Sequence, residues 1–195
     1  MTSTPVALGA FVARVFLWLP PTFALWYLGA HFHTEIVAGF ARLFIAFFNG
    51  LLVSATENRT DLVFVTTLKV QQAGQGVLTV EVNPLIYTYG LALFLALMLA
   101  ARARWWRILA GAAVLLPFQG WGIAFDFLAQ VGAKMGPEIA AQAGLLPARE
   151  AIALAYQLGN LLFPSLLPVM VWAWLERRFV EALRMRAAPS AGRTA

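Results

Sequence analysis

A chain of 195 residues that is 61% hydrophobic and only 12% charged cannot hide its apolar surface in a soluble domain of that size, so a membrane is the first expectation. The complete absence of cysteine excludes disulfides, thiolate metal sites and thiol catalysis. Fourteen basic against nine acidic residues give a net charge of +5, whose meaning depends on where the charges fall; no nucleic-acid partner is expected.

In chain order, the first expected element is a span over 7–30, "ALGAFVARVFLWLPPTFALWYLGA", with Arg14 near its start. No small-residue cleavage site follows a short apolar core there, so the segment reads as retained. "HFHTE" follows, with His31, His33 and Glu35. Their types suit zinc, but three ligands so close at a helix start are a weak pattern. Solvated interfacial histidines are the plainer reading, and neither a metal nor a cofactor is expected.

Residues 35–55, "EIVAGFARLFIAFFNGLLVSA", are long enough to cross. Ile36, Phe40, Leu43, Phe44, Phe47 and Leu51 follow helical spacing, with Glu35, Arg42 and Asn49 off that stripe. A crossing would place an arginine mid-span and turn every later loop over. The segment is therefore expected to lie on the outer leaflet as an amphipathic helix capped by Thr34. "LVFVTTLKV" and "VLTVEV", joined by "QQAGQG", read as a β-hairpin over 62–82. A lone hairpin is marginal in water, so it should pack on a helix or on a partner's sheet edge.

"TVEVNPLIYTYG" closes this run and opens the second span, 84–101. Asn83 precedes Pro84, which suits the first turn of a helix, and Asn83 is expected to cap that helix. The link "RARWWR" (102–107) carries three arginines, and the third span is expected over 108–129. "PFQGWG" within it suggests a kink with small residues for close packing. Asp126 lies near its outer end, with Gln119 two turns away on nearly the same face. An acid in a span is a functional candidate, and an interfacial anchor is its plain alternative.

The fourth span is expected over 151–175. Gln157, Asn160 and Pro164 share a face, as helix cross-links or as the lining of a groove. The tail holds Arg177, Arg178, Arg184, Arg186 and Arg193, and its end, within 181–195, reads as disordered. With this tail and "RARWWR" both inside, four spans put both termini in the cytoplasm. Ser54 and Ser165 have no nucleophile elbow about them. Neither an inverted repeat nor a charge pair within a span marks a transporter.

The order of features resembles the C-terminal core of the exosortase/archaeosortase family, membrane enzymes that process sorting tags of exported proteins. The likeness covers about residues 40 to 180. In that family the first core helix opens with Glu-Ala-Cys-Ser-Gly-x-Arg, where this chain reads Glu81, Val82, Asn83, Pro84, Leu85, Ile86, Tyr87. The family's Asn-x-x-Arg-Ile falls at Gln119, Gly120, Trp121, Gly122, Ile123, and its catalytic histidine falls near Tyr156 or Gln157. Asn83 cannot ionise, Gly122 has no side chain, and Tyr156 and Gln157 are poor bases. Asn83, Tyr87, Gly122, Tyr156 and Gln157 thus stand as vacated positions.

The chain most resembles the small membrane proteins associated with exosortases, in particular with exosortase H. The resemblance implies a single integral-membrane domain over 1–180 in the bacterial cytoplasmic membrane. Its class is membrane all-α, four transmembrane helices with an outer amphipathic helix and a hairpin. The implied function is non-catalytic: binding an exosortase or its tagged precursor, with membrane lipid around it. Two alternatives stand beside it. One is an atypical transpeptidase using Asp126, Tyr87 or Tyr156. The other is a lipid or solute binder lined by Gln157 and Asn160, and Gln119, Asp126 and Asn160 stand as a candidate polar groove.

Overall fold

The computed structural model describes residues 8–50, 52–58, 61–70, 76–145 and 148–187. The expected tail end and Arg193 lie outside them. The fold is mostly helical, with one small sheet.

Helix α1 runs unbroken over Leu8–Asn49. At about 1.5 Å per residue its 42 residues extend about 63 Å, twice a hydrocarbon core of about 30 Å. This overturns the separate surface helix over 35–55. Thr34 is not a cap but a buried residue in mid-helix, and residues from Val53 onward are strand. The reason is apolarity on nearly every face. Val37, Ala38, Ala41 and Ile45 pack inward, while Phe32, Ile36, Leu43 and Phe47 remain exposed. A helix of that kind needs no break to turn one face down. Pro20 and Pro21 sit inside it, and the Thr22 hydroxyl donates back to the Trp18 carbonyl at 2.9 Å in the same turn.

The expected hairpin is a three-stranded antiparallel sheet: β1 (Val53–Asn58), β2 (Leu62–Val70) and β3 (Gly76–Val82), in spatial order β1-β2-β3. The polar composition of "VSATEN" conceals β1 from a hydrophobic pattern search. Leu62, Phe64, Thr66 and Leu68 alternate inward along β2, as a half-buried strand requires. Phe64 lies 4.9 Å from Phe127, ring to ring, which fixes the sheet on the far end of α4.

Helices α2 (Leu85–Thr88) and α3 (Gly90–Ala100) form a continuous apolar stretch only 16 residues long. It lies inside the bundle, with Ala92, Phe94, Ala96 and Met98 fully buried. The chain then reverses through Arg102 at φ 55°, closed by the Ala103 amide on the Met98 carbonyl at 2.9 Å. Helix α4 (Trp105–Ala129) continues into a π-helical turn, Gln130–Lys134. After α5 (Pro137–Gln142), α6 (Arg149–Gln157) passes through a second π turn, Leu158–Leu162, into α7 (Phe163–Leu175). Helix α8 (Arg177–Ala187) ends the described chain.

Among the described residues, three helical runs are long and apolar enough to cross a membrane: Leu8–Asn49, Trp105–Lys134 and Arg149–Leu175. The Leu85–Ala100 stretch is shorter than that. Two cores divide the molecule. One joins Phe11 to α3, the start of α4, α7 and α8. The other joins the second half of α1 to the sheet, Tyr87, the end of α4, and α6.

Candidate functional site: the Tyr87–Asp126 corner

The N-cap of α2 is Pro84, without a side-chain cap bond, so Asn83, the expected cap, stands one residue before that position. Its Oδ1 accepts the Leu85 amide at 2.9 Å, closing a turn across Pro84. Thr88 closes the same turn from the other side, its hydroxyl on the Pro84 carbonyl at 3.0 Å, and it accepts Trp26 Nε1 at 3.3 Å from α1. That short, doubly pinned helix aims Tyr87 at α4.

Tyr87 is 2% exposed. Its ring fills the space that Gly122 leaves: a Cβ on Gly122 would stand 2.4 Å from the ring. On the other side of Gly122, a Cβ on Gly159 would stand 2.9 Å from the Gly122 Cα. Small residues at such crossings let apolar helices approach without a side chain between them. The π turn at Leu158–Leu162 carries Gly159 to that contact.

Gly122, Asp126, Gln130 and Lys134 recur every fourth residue along α4 and its π turn. Asp126 is 9% exposed, and the Tyr87 side chain lies beside its carboxylate. Gln130 Nε2 reaches the Glu81 carbonyl at 3.1 Å and Asp126 Oδ1 at 3.4 Å, tying α4 to the end of β3. The Lys134 ammonium stands 5.7 Å over the Tyr156 ring. Trp121 Nε1 donates to the Ala155 carbonyl at 3.0 Å and holds α6 in place.

The structure therefore brings Tyr87, Gly122, Asp126 and Tyr156 together, while Asn83 and Gln157 are exposed. Gln119 stands apart from Asp126. His33 Nε2 lies 2.7 Å from its Oε1, so the ring donates and the amide oxygen accepts. Asn160 is half-buried on the π turn, and Ser165 returns its hydroxyl to the Leu161 carbonyl. Among the described residues neither Gln157 nor Asn160 has a side-chain hydrogen bond to another helix. The extra residue of the π turn displaces both from the face they would share with the buried Pro164 in a regular helix. No three His, Cys, Asp or Glu side chains converge among the described residues.

Sequence reasoning missed Gln130, Lys134 and the His33–Gln119 pair. The four-residue recurrence from Gly122 was visible, but the last two members lie beyond the expected span end. The His33–Gln119 bond should contribute about 1 kcal/mol, at the upper side of side-chain hydrogen bonds between membrane helices. Gln119→Leu is expected to lose that amount, and His33→Leu added to it to lose little more, read by thermal unfolding in detergent.

Chemically, the corner is a packed cluster in which the Asp126 carboxyl is buried, with the Gln130 amide at 3.4 Å and the covered Tyr87 side chain beside it.

The sequence model of one family, described as exosortase H-associated membrane protein, matches residues 5–179. No curated protein and no solved structure matches the chain.

Proposed function

The chain belongs to the exosortase H-associated membrane proteins, and from that footing we propose that it is a non-catalytic accessory subunit of an exosortase-type sorting system. It holds the sorting enzyme or its tagged precursor at the outer face of a bacterial cytoplasmic membrane. Four crossings place both termini inside, with Leu85–Ala100 as the short fourth helix, shielded by its neighbours, in a single domain over residues 1–180.

The observation that carries this reading is the Tyr87 ring packed onto Gly122. Gly122, which aligns with the arginine of the sorting peptidases' Asn-x-x-Arg-Ile pattern, is not an open pocket awaiting a cation; the Tyr87 side chain occupies it. A transpeptidase-like reaction needs a nucleophile, a base and an oxyanion donor around a space for substrate. Here the corresponding corner supplies packing. Binding surface lies elsewhere, on the exposed stripe of Phe32, Ile36, Leu43 and Phe47 and on the outer strands β1 and β3. An edge strand offers backbone hydrogen bonds to an extended peptide.

The test is capture of the tagged protein in mild detergent. An exosortase or a tagged precursor among the co-purifying proteins is expected, and a partner list with neither would sink the reading. Orientation is tested separately in this cysteine-free chain. Lys69→Cys is expected to label from outside and Arg102→Cys only from the cytosol.

A second reading, an atypical transpeptidase, draws on the convergence of Tyr87, Asp126 and Tyr156. Asp126→Asn separates the two. The amide can still accept from Tyr87, so the accessory reading expects a stability change below about 1 kcal/mol and unchanged partner capture. Cleavage of a tagged peptide by the pure protein, abolished in that variant, would establish the enzyme instead.

A further inference from the structure

At the opposite end of the bundle from the sheet, where α4 begins and α7 gives way to α8, lies a cavity of about 330 Å³. Trp106, Arg107, Trp174, Leu175, Arg177 and Arg178 line it. We infer that this cavity is a seat for the phosphate group of an anionic phospholipid.

The charges are arranged for an anion. Arg107 is already engaged: its guanidinium donates to Glu176 Oε1 at 2.9 Å and to the Leu175 carbonyl at 3.3 Å, and it stands 5.4 Å over the Trp106 ring. Glu176 is thereby neutralised. Arg177 and Arg178 are exposed, and among the described residues no carboxylate pairs with either. The cavity thus keeps two uncompensated cations. They open α8, whose first-turn amides add their own positive potential.

The walls are arranged for a lipid rather than a free ion. Trp106 and Trp174 are 47% and 68% exposed, and indole rings favour the level of the glycerol and headgroup. From Trp174 an exposed apolar track runs along α7 through Met170 and Leu166 to Leu162 at the end of the π turn, at four-residue spacing. A headgroup in the cavity leaves an acyl chain against that track. Helix α8 buries Phe179, Val180 and Leu183 against the neighbouring core and keeps Arg177, Arg178 and Arg184 outward. That is the pattern of a basic helix at an anionic surface. None of this depends on which side of the membrane the cavity faces, nor on the sorting role.

The experiment is native mass spectrometry of the full-length protein released from nanodiscs of mixed phosphatidylglycerol and phosphatidylcholine. Preferential retention of phosphatidylglycerol is expected. The Arg177→Gln/Arg178→Gln double variant should weaken it about 30-fold, from about a fivefold loss per surface arginine. Arg177→Lys/Arg178→Lys should retain most of it. Trp174→Ala should shorten retention of the lipid and leave the protein's melting temperature unchanged. Equal retention of the two lipids, or retention indifferent to the arginines, would overturn the inference. So would displacement of the bound species by millimolar inorganic phosphate, which would make the ligand a soluble anion.

Discussion

Gly90→Ala is expected to destabilise the protein by about 3 kcal/mol, at the upper end for overpacking. Pro168 has no amide hydrogen, so the carbonyl of Pro164, four residues earlier in α7, lacks its helical donor. That carbonyl faces Gly90 at the start of α3. A Cβ there would stand 2.4 Å from the Pro164 oxygen and 2.8 Å from Pro168 Cγ. Backbone and ring cannot yield as a flexible side chain would. In the wild type the glycine hydrogens give the bare oxygen a weak partner, which a methyl group removes. Gly39→Ala in α1 is the control. Nothing lies within 4 Å of a Cβ there, and its effect should stay within about 0.5 kcal/mol. Thermal unfolding in one detergent compares the two directly, and equal losses would mean that α3 and α7 do not meet at Gly90.

Arg107→Met should cost about 2 kcal/mol. Breaking a fully buried ion pair from one side costs about 3–5 kcal/mol, because the remaining charge is stranded. The Arg107 side chain is 33% exposed and that of Glu176 10%, so solvent screening reduces the figure. The loss has two parts: Glu176 keeps its burial without its partner, and the Leu175 carbonyl loses a donor at the end of α7. Adding Glu176→Gln to Arg107→Met should restore part of the stability, since the stranded charge is then gone. A double variant no more stable than the single would show that the loss does not come from a stranded Glu176 charge.

Much of this architecture is legible in the sequence because it rests on local rules. Asn-Pro marks the start of α2 through turn chemistry, and the Asn83 turn across Pro84 follows from it. The β2 and β3 runs declare themselves by β-branched alternation. The expected break near Thr34 failed because a threonine followed by a glutamate looks like a helix start, whereas the buried face from Val37 to Ile45 needs a partner that only the fold supplies. Strand β1 was missed for the converse reason, since its polar residues gain order from pairing with β2. The two π turns leave no trace in hydrophobic spacing, yet they set where Lys134 and Gly159 point.

At the corner itself, the sequence indicated that Asn83, Gly122 and Tyr156 lack a sorting peptidase's chemistry. It did not indicate what stands in its place. Gly122 reads as a missing arginine until Tyr87 is seen against it. Asp126 reads as a candidate acid until Tyr87 and Gln130 are seen around it.

The most direct measurement is site-specific crosslinking from the sheet in native membranes. With no native cysteine to compete, Val77→Cys on β3, 63% exposed in the wild type, can carry a photoactivated probe. Adducts containing the exosortase or a tagged precursor are the predicted result. Adducts that contain neither, in cells whose sorting proceeds unchanged when this chain is deleted, would contradict the role assigned to it.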